Sequence, residues 1–260
     1  MPLVEHLGDL RPRPNLVIVR AGDGSAHNRW TRDLPAADRS WNLLVSFFGR
    51  DVEALAPPYE MLARHPGPKW PAIFELLQSG ELPSFDYVWC VDDDIECSWR
   101  DINRLFQLVA DYGLDLAQPA LDPASYISHQ ITAAVPGRTV GYTSFVEVMA
   151  PVFSREAFAV CAPPMREVVT GWGLDFVWPH LLGDPRDRIG VVHAVPMRHI
   201  RPVASHYRKR DAAAEAAELM ARYGVRRKMV AYAAPPVRRP RRQLGDAPVT
   251  SYTAREGDPA

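Results

Sequence analysis

Apolar runs of strand length alternate with segments of helical spacing through the first half of this chain. Four runs have the composition of buried strands: residues 15–21, 41–48, 85–91 and 114–118. Residues 69–77 have apolar side chains at helical spacing, and Ser98 with Asp101 predicts the capping box of a second helix. This alternation predicts an α/β fold with a mostly parallel twisted sheet and helices on both faces.

The second half of the chain departs from this alternation. Residues 139–153 are predicted to form one or two strands with no helix between them, which indicates an antiparallel C-terminal addition to the sheet. Helices are predicted from Ser154 and over 175–182, with a last strand over 189–195. An alanine-rich helix is predicted at 210–223, and proline and arginine dominate after it.

Composition bounds the organisation and excludes some functions. With 47% hydrophobic residues in 260, the chain can bury one core, so we expect one domain over 1–203, a C-terminal helix over 204–224 and a poorly ordered basic tail over 225–260. A net charge of -1 gives no global attraction to nucleic acid. Three cysteines form no disulfide framework, and neither a signal peptide nor a membrane span is predicted, so a cytoplasmic protein is expected.

Three aspartates, Asp92, Asp93 and Asp94, directly follow the apolar run 85–91. Ligands of open α/β sheets sit at the carboxyl ends of strands, and three carboxylates there are costly unless a positive charge neutralises them. Asp92 and Asp94 are two residues apart and point to the same side of an extended segment. Hard carboxylate oxygens suit Mg²⁺ or Mn²⁺. The alternative is a solvated acidic turn, which is the more frequent explanation of three consecutive aspartates when they are considered alone.

Two later segments supply further candidate side chains. Two glycines flank Trp172, whose aromatic face suits a sugar ring, and Asp175 follows as a candidate proton acceptor. Alternatively, Trp172 is a core residue and Asp175 a helix N-terminal residue. His199 follows the last predicted strand and is a candidate metal ligand, with His193 as the competing residue inside that strand. A lone histidine is more often structural.

Two candidate phosphate or nucleoside contacts lie at the ends of predicted elements. Lys69 opens a helix after Gly67 and Pro68, where backbone amides and the ammonium would meet a phosphate, although an ordinary first turn explains the pattern equally well. Gly22 and Asp23 follow the first strand and would receive a nucleoside. The segment lacks the GxGxxG spacing, so a dinucleotide site is not predicted.

Seven short segments together resemble a family of plant and bacterial proteins catalogued as a domain of unknown function, whose plant members are labelled lysine-ketoglutarate-reductase trans-splicing related. In family order they are AGDGSAHNRW (21–30), GPKW (67–70), DYVWCVDDDI (86–95), LAQPALDPASYISHQIT (116–132), FVEVMAPVFSRE (145–156), GWGLDF (171–176) and HAVPMRHIRP (193–202). The family layout is similar to the GT-A glycosyltransferase fold. The resemblance implies a Rossmann-like nucleotide-sugar half over about 15–118 and an acceptor half over about 119–203.

The resemblance also implies a metal-dependent transfer of a sugar from a nucleotide-diphosphate sugar to a hydroxyl acceptor. Its Asp-x-Asp motif is matched by Asp92 and Asp94, and its late metal-ligating histidine by His199. Its acidic residue after a Trp-Gly pair is matched by Asp175. Some inverting GT-A enzymes carry Glu-Asp at that place, whereas here Leu174 precedes Asp175 and the acidic pair is missing from the segment.

These assignments combine into one mechanistic hypothesis. Mn²⁺ or Mg²⁺ held by Asp92, Asp94 and His199 would neutralise the leaving diphosphate, and Asp175 would take the proton of the attacking hydroxyl. The residues expected to face the nucleotide-sugar are Gly22, Asp23, Lys69, Asp92 and Asp93. Those expected to shape the acceptor and sugar pockets are His129, Glu147 and Trp172.

Other functions stay open at this point. A metal-dependent phosphohydrolase or nuclease also uses clustered aspartates and a histidine, although two-metal sites need more bridging carboxylates. A nucleotide-sugar- or carbohydrate-binding protein without turnover is a second alternative. The basic tail would contact nucleic acid or anionic lipid, but with only Tyr232 available for stacking, a solvated tail is favoured and no nucleic-acid partner is expected.

Overall fold

One mixed sheet organises the residues that the computed structural model describes, namely 3–7, 10–30, 38–55, 59–202 and 208–233. Its strands in these ranges are β1 (Glu5–His6), β2 (Asn15–Ala21), β3 (Trp41–Phe47), β4 (Met61–Arg64), β5 (Tyr87–Asp92), β6 (Ile95–Glu96), β7 (Leu116–Leu121), β8 (Val140–Thr143), β9 (Val152–Ser154), β10 (Ile189–His199) and β11 (Ala231–Tyr232). The helices are α1 (Lys69–Gln78), α2 (Trp99–Asp111), α3 (Arg155–Cys161), α4 (Leu174–Leu181) and α5 (Lys209–Arg222). Short 3₁₀ helices lie at Ala26–Arg29, Val52–Ala54, Gln130–Thr132 and Pro163–Glu167.

The strands lie in the order β1-β4-β3-β2-β5-β9-β7-β10-β8-β11, and β6 pairs with β10. The four parallel pairings, β4–β3, β3–β2, β2–β5 and β7–β10, are the longest in the sheet. β9 runs antiparallel between β5 and β7, and β8 runs antiparallel to β10. The fold is therefore α/β with a mixed, mostly parallel central sheet, as the alternation predicted.

Both faces of the sheet are covered, which explains the unbroken apolar runs in the sequence. Along β2, Val17 and Val19 pack in one core with α2, while Leu16 and Ile18 pack in the other core with α1, α3 and α4. Tryptophan pairs fill the two layers: the rings of Trp30 and Trp89 stack at 5.4 Å in the first, and those of Trp70 and Trp178 meet edge to face at 4.8 Å in the second.

The predicted capping box is confirmed at α2, where Ser98 and Asp101 bond each other's backbone N–H groups. Two strands are longer than predicted. β7 continues through Pro119 to Leu121, because its antiparallel neighbour β9 pairs only with Leu116 and Ala117 and needs no N–H from the proline. β10 runs to His199, which places this histidine in a strand and not after it.

The C-terminal part of the described chain returns to the sheet. After α5, β11 pairs antiparallel with β8, so residues 225–233 lie against the domain although the sequence grouped them with the basic tail. Backbone pairing drives this contact, and the composition of the segment gave no apolar pattern to predict it. The remaining predicted tail, 234–260, lies outside the described residues, as do 203–207. Within the described ranges, no helix has the length and apolar character to cross a bilayer.

Candidate functional site

The three aspartates lie at the carboxyl end of β5, where the parallel strands β2 and β3 also end. Asp92 is the last residue of β5, and a tight turn through Asp93 and Asp94 leads into β6. β6 then pairs with the end of β10, with His199 opposite Ile95. This pairing brings a histidine 105 positions later in the chain to the aspartate turn.

Each aspartate has its own basic partner. Asp92 lies 2.7 Å from the Lys69 ammonium, Asp93 lies 2.7 Å from the Arg201 guanidinium, and Asp94 lies 3.3 Å from Nε2 of His199. Three carboxylates on consecutive residues repel one another, and three separate partners offset that repulsion.

Asp93 holds the loop after β2 in place. It is 6% exposed, and its carboxylate accepts a bond of 2.8 Å from the N–H of Gly22. Arg201 bonds both Asp93 and the carbonyl of Gly24, at 2.7 and 2.6 Å. Asp23, exposed in the same loop, accepts the N–H groups of residues 50 and 51. Two of the three carboxylates expected to face a nucleotide, Asp23 and Asp93, therefore bond backbone or arginine, which fixes the shape of the loop.

Lys69 is a clamp between two segments. Its ammonium donates to the carbonyls of Val148 and Met149 at 2.8 and 3.1 Å and meets Asp92 at 2.7 Å. An ammonium has three N–H donors, and these three acceptors occupy them. The arrangement differs from the expectation that Lys69 meets a phosphate directly, because a phosphate would have to displace one of these acceptors.

Arg20 fixes the loop that precedes Lys69. Its guanidinium donates to the carbonyl of Ser46 at 3.2 Å, to that of His65 at 2.6 Å and to that of Gly67. Burial lowers the pKa of Arg20 to about 10, and the charges of Asp92 and Asp93 oppose that shift. A buried arginine inside β2 is thus a positioning residue, and its place in an otherwise apolar run is the signal that would have found it.

Asp94 and His199 fit a divalent cation as two of its ligands. Among the described residues, buried Oδ1 of Asp94 has no hydrogen-bond partner, which makes it an unsatisfied acceptor of the kind that a cation completes. Nδ1 of His199 donates to the carbonyl of Tyr126 at 2.9 Å, which orients the ring so that Nε2 lies 3.3 Å from Oδ2 of Asp94. A cation bound here would take the place of the proton on Nε2. Burial lowers the pKa of His199, but its hydrogen bond to Asp94 and the charge of that residue outweigh burial and leave the pKa raised.

The protein supplies few ligands beyond this pair. Asp92 is engaged by Lys69, with 38% of its side chain exposed. Over the described ranges no group of three His, Cys, Asp or Glu side chains is placed to hold a metal ion by itself. A cation here would take its remaining ligands from phosphate oxygens and water, which is how Mg²⁺ is commonly held.

Glu147 and Asp175 form a second, buried group of acidic residues. The two residues are 7% and 8% exposed. Burial, and next the charge of Asp175, raise the pKa of Glu147 to about 7, while the charge of His199 lowers it. Burial also raises the pKa of Asp175 from 3.8 to about 7. Glu147 therefore interacts with both the histidine of the aspartate turn and the predicted base.

Polar residues from β7 and its following loop position Glu147. Its backbone N–H donates to Oε1 of Gln118 at 2.6 Å, and Gln118 is fully buried. The hydroxyl of Thr132 lies 3.4 Å from the Glu147 carboxylate and 2.8 Å from the carbonyl of His129, to which it donates. Gln118 escaped the sequence prediction, although an amide inside the apolar run of β7 was a visible signal.

Asp175 lies in the first turn of α4. Its carboxylate accepts the N–H of Gly173 at 3.2 Å, and Gly173 caps the helix with φ of 100°. Gly171 has φ of 84°, and a Cβ there would collide with Trp70. The positive φ angles therefore explain why glycine occupies both positions. Trp172 between them is half-buried.

Aromatic rings and one arginine lie beside the acidic pair. The rings of His129 and Phe145 are 4.8 Å apart, and those of Phe145 and Phe176 are 5.1 Å apart. The guanidinium of Arg227 lies over Phe176 at 5.4 Å. His193, the competing histidine, is instead packed away and accepts the N–H of Val135 at 3.2 Å.

Solved structures give the fold a name. A crystal structure of S. aureus TarS matches with a TM-score of 0.51 at 11% identity, over 80% of this chain and 38% of that chain. A crystal structure of GalNAc-T7 with UDP, GalNAc and Mn²⁺ matches with a TM-score of 0.55 at 9% identity, over 82% of this chain and 48% of that one. Both structures have the GT-A fold, so the fold of this chain is GT-A-like, and this chain spans less than half of either.

Sequence comparison gives a family. No curated protein matches the chain. The family model described as "Protein of unknown function (DUF707)" matches residues 68–142 and 138–235, which together make up more than half of the chain. The chain belongs to the DUF707 family.

Proposed function

We propose that the protein is a metal-dependent glycosyltransferase that moves a sugar from a nucleotide-diphosphate sugar to a hydroxyl acceptor. The observation that carries the proposal is the pairing of Asp94 with His199 at the carboxyl end of a GT-A-like sheet, where the described residues leave one buried carboxylate oxygen of Asp94 unsatisfied. The solved GalNAc-T7 structure contains UDP and Mn²⁺, which supports a nucleotide and a cation in this fold.

In this proposal Asp94 and His199 would hold Mn²⁺ or Mg²⁺, and Asp92 would add negative charge to the site. The cation would neutralise the charge that develops on the leaving diphosphate. Lys69 keeps Asp92 and the segment at 148–149 in register, since its ammonium bonds both. Asp93, Gly22 and Asp23 shape the loop against which the nucleotide would lie.

Asp175 is the proposed general base for the acceptor hydroxyl. Its pKa of about 7 lets it exchange a proton near neutral pH, which suits a group that must accept one during attack. Glu147 supplies the second acidic side chain that the segment around Leu174 lacks, since its charge and that of Asp175 act on each other. His129 and Trp172 are proposed to line the sugar and acceptor pockets.

A thermal-shift screen tests donor binding. Wild-type protein and Asp94→Asn would be melted with UDP-, GDP-, CMP- and dTDP-sugars, with Mn²⁺ and with EDTA. We expect at least one donor to stabilise the wild type in a metal-dependent way and to lose that effect in the variant. No metal-dependent stabilisation by any donor would contradict the proposal.

Product analysis with the stabilising donor then separates three activities. Sugar attached to an acceptor supports transfer, and free sugar phosphate or nucleotide without transfer favours a phosphohydrolase. Tight binding with neither product favours a binding protein of the same fold.

A further inference from the structure

The segment after α5 lies against the candidate site and is held at both ends. We name residues 225–232 the C-terminal strap. At its start the N–H of Val225 bonds the carbonyl of Met220 at 2.8 Å. Near its end Ser144 and Val230 exchange two bonds of 2.9 Å, and β11 pairs with β8. The strap is therefore built into the sheet.

Arg227 is the strap residue that meets the site. Its guanidinium lies 5.4 Å from the centre of the Phe176 ring. Phe176 directly follows Asp175 in the chain. The positive charge of Arg227 contributes to the lowered pKa of His129, after burial, and opposes the raised pKa of Asp175. Arg227 thus packs on the residue next to Asp175, and its charge acts on both residues proposed for the acceptor side of the reaction.

The guanidinium of Arg227 is open to a ligand. The residue is exposed, and among the described residues no carboxylate lies within 4 Å of its nitrogens. Arg20 and Arg201, in contrast, are engaged by carbonyls or by Asp93. Packing on an aromatic face orients a guanidinium while leaving its N–H edge free for planar anions.

We propose that Arg227 is a specificity-determining residue that binds a carboxylate or phosphate group on the acceptor. This inference rests on the proposed function and adds a substrate class to it: an acceptor with an anionic group near the attacking hydroxyl. An arginine placed only to neutralise Asp175 would lie in ion-pair contact with it, whereas Arg227 rests over Phe176. Its planar fork matches either oxyanion through paired hydrogen bonds.

Glucose, glucuronate and glucose 6-phosphate are suitable probes, because they share a ring and differ in charge. Each would be titrated calorimetrically into the full chain, with UDP and Mn²⁺ present and in their absence. Wild type is expected to bind glucuronate or glucose 6-phosphate about 10-fold more tightly than glucose, the gain of one charge-assisted contact. The two anionic sugars distinguish a carboxylate from a phosphate acceptor.

The matched variants are Arg227→Gln, Arg227→Lys and Arg226→Gln, the last an exposed neighbour on the same strap. Arg227→Gln is expected to remove the preference, Arg227→Lys to keep part of it, and Arg226→Gln to leave it unchanged. Equal binding of all three sugars by the wild type, or an unchanged preference in Arg227→Gln, would overturn the inference. Metal-dependent UDP binding, measured separately in every variant, reports on the proposed function and on folding, so the two failures are distinguishable.

Discussion

Two acidic groups in this protein differ in how their charge is balanced. In the turn Asp92–Asp94 every carboxylate has a basic partner: Lys69, Arg201 or His199. The pair Glu147 and Asp175 has no ion-pair partner among the described residues, and burial raises the pKa of each to about 7.

The difference separates two kinds of chemistry. Partners that hold the turn's carboxylates in fixed places suit the binding of a cation and a diphosphate, which need fixed charge. Buried acids that titrate near neutral pH suit proton transfer, which needs a group that can both take and release a proton. Glu147 links the two groups electrostatically, because the charges of both Asp175 and His199 act on it.

Removing the proposed base should have the largest effect. Asp175→Asn is expected to lower the rate of sugar transfer by about 100- to 10,000-fold, the usual contribution of a general base, while donor binding is kept. The measurement is the turnover number with a saturating donor. Asp184→Asn, an exposed position just after α4, is the matched control and should keep full activity. Equal rates for the two variants would remove Asp175 from the mechanism.

Breaking a partner in the turn should cost stability. Lys69→Met leaves Asp92 and two carbonyls without their donor, and because Asp92 is partly exposed we expect a loss of about 2 kcal/mol in the free energy of unfolding. Urea denaturation measures it. Adding Asp92→Asn should recover part of the loss, and Lys209→Met, at an exposed position in α5, serves as control. A loss no greater than in that control would show that the clamp contributes nothing.

Ionisation of Asp175 should make the folded protein less stable as the pH rises, the reverse of the effect of a carboxylate held by a basic partner. Asp175 has a folded pKa of about 7 against 3.8 in its ordinary state, so the folded protein holds a proton that the unfolded chain releases between these values. Stability linked to this proton is present at pH 4 and lost as the pH rises through about 7. Asp175→Asn cannot ionise, so relative to wild type its Tm should rise by at least about 2–4 °C between pH 5 and pH 8. A difference in Tm that stays constant over this range would contradict the buried-acid description.

Most strands and helices could be predicted from the sequence, because the residues that form the two cores are apolar runs in the strands and helically spaced apolar residues in the helices. Residues 15–21, for example, coincide with β2, and Ser98 caps α2. Where backbone pairing determines a strand, the apolar pattern of the sequence did not predict it. β7 passes through Pro119, and the strap joins β8 through two residue pairs although it contains three consecutive basic residues, Arg226, Arg227 and Lys228.

For the site, sequence placed candidate residues but not their partners. The spacing of Asp92 and Asp94 suggested convergence, yet the partners Lys69, Arg201 and His199 come from α1, the chain after β10, and β10 itself. Such contacts depend on strand register over long separations, which one sequence does not reveal. The roles assigned to these residues stay predictions, as do the domain boundaries.

The most direct test of the central proposal is a calorimetric titration of UDP into wild-type protein and into Asp94→Asn, each with Mn²⁺ and with EDTA. We expect that wild type binds UDP in the presence of Mn²⁺, that EDTA weakens binding at least about 10-fold, and that Asp94→Asn binds equally weakly in both conditions. UDP binding of the same strength in all four titrations would contradict a metal site at Asp94 and His199.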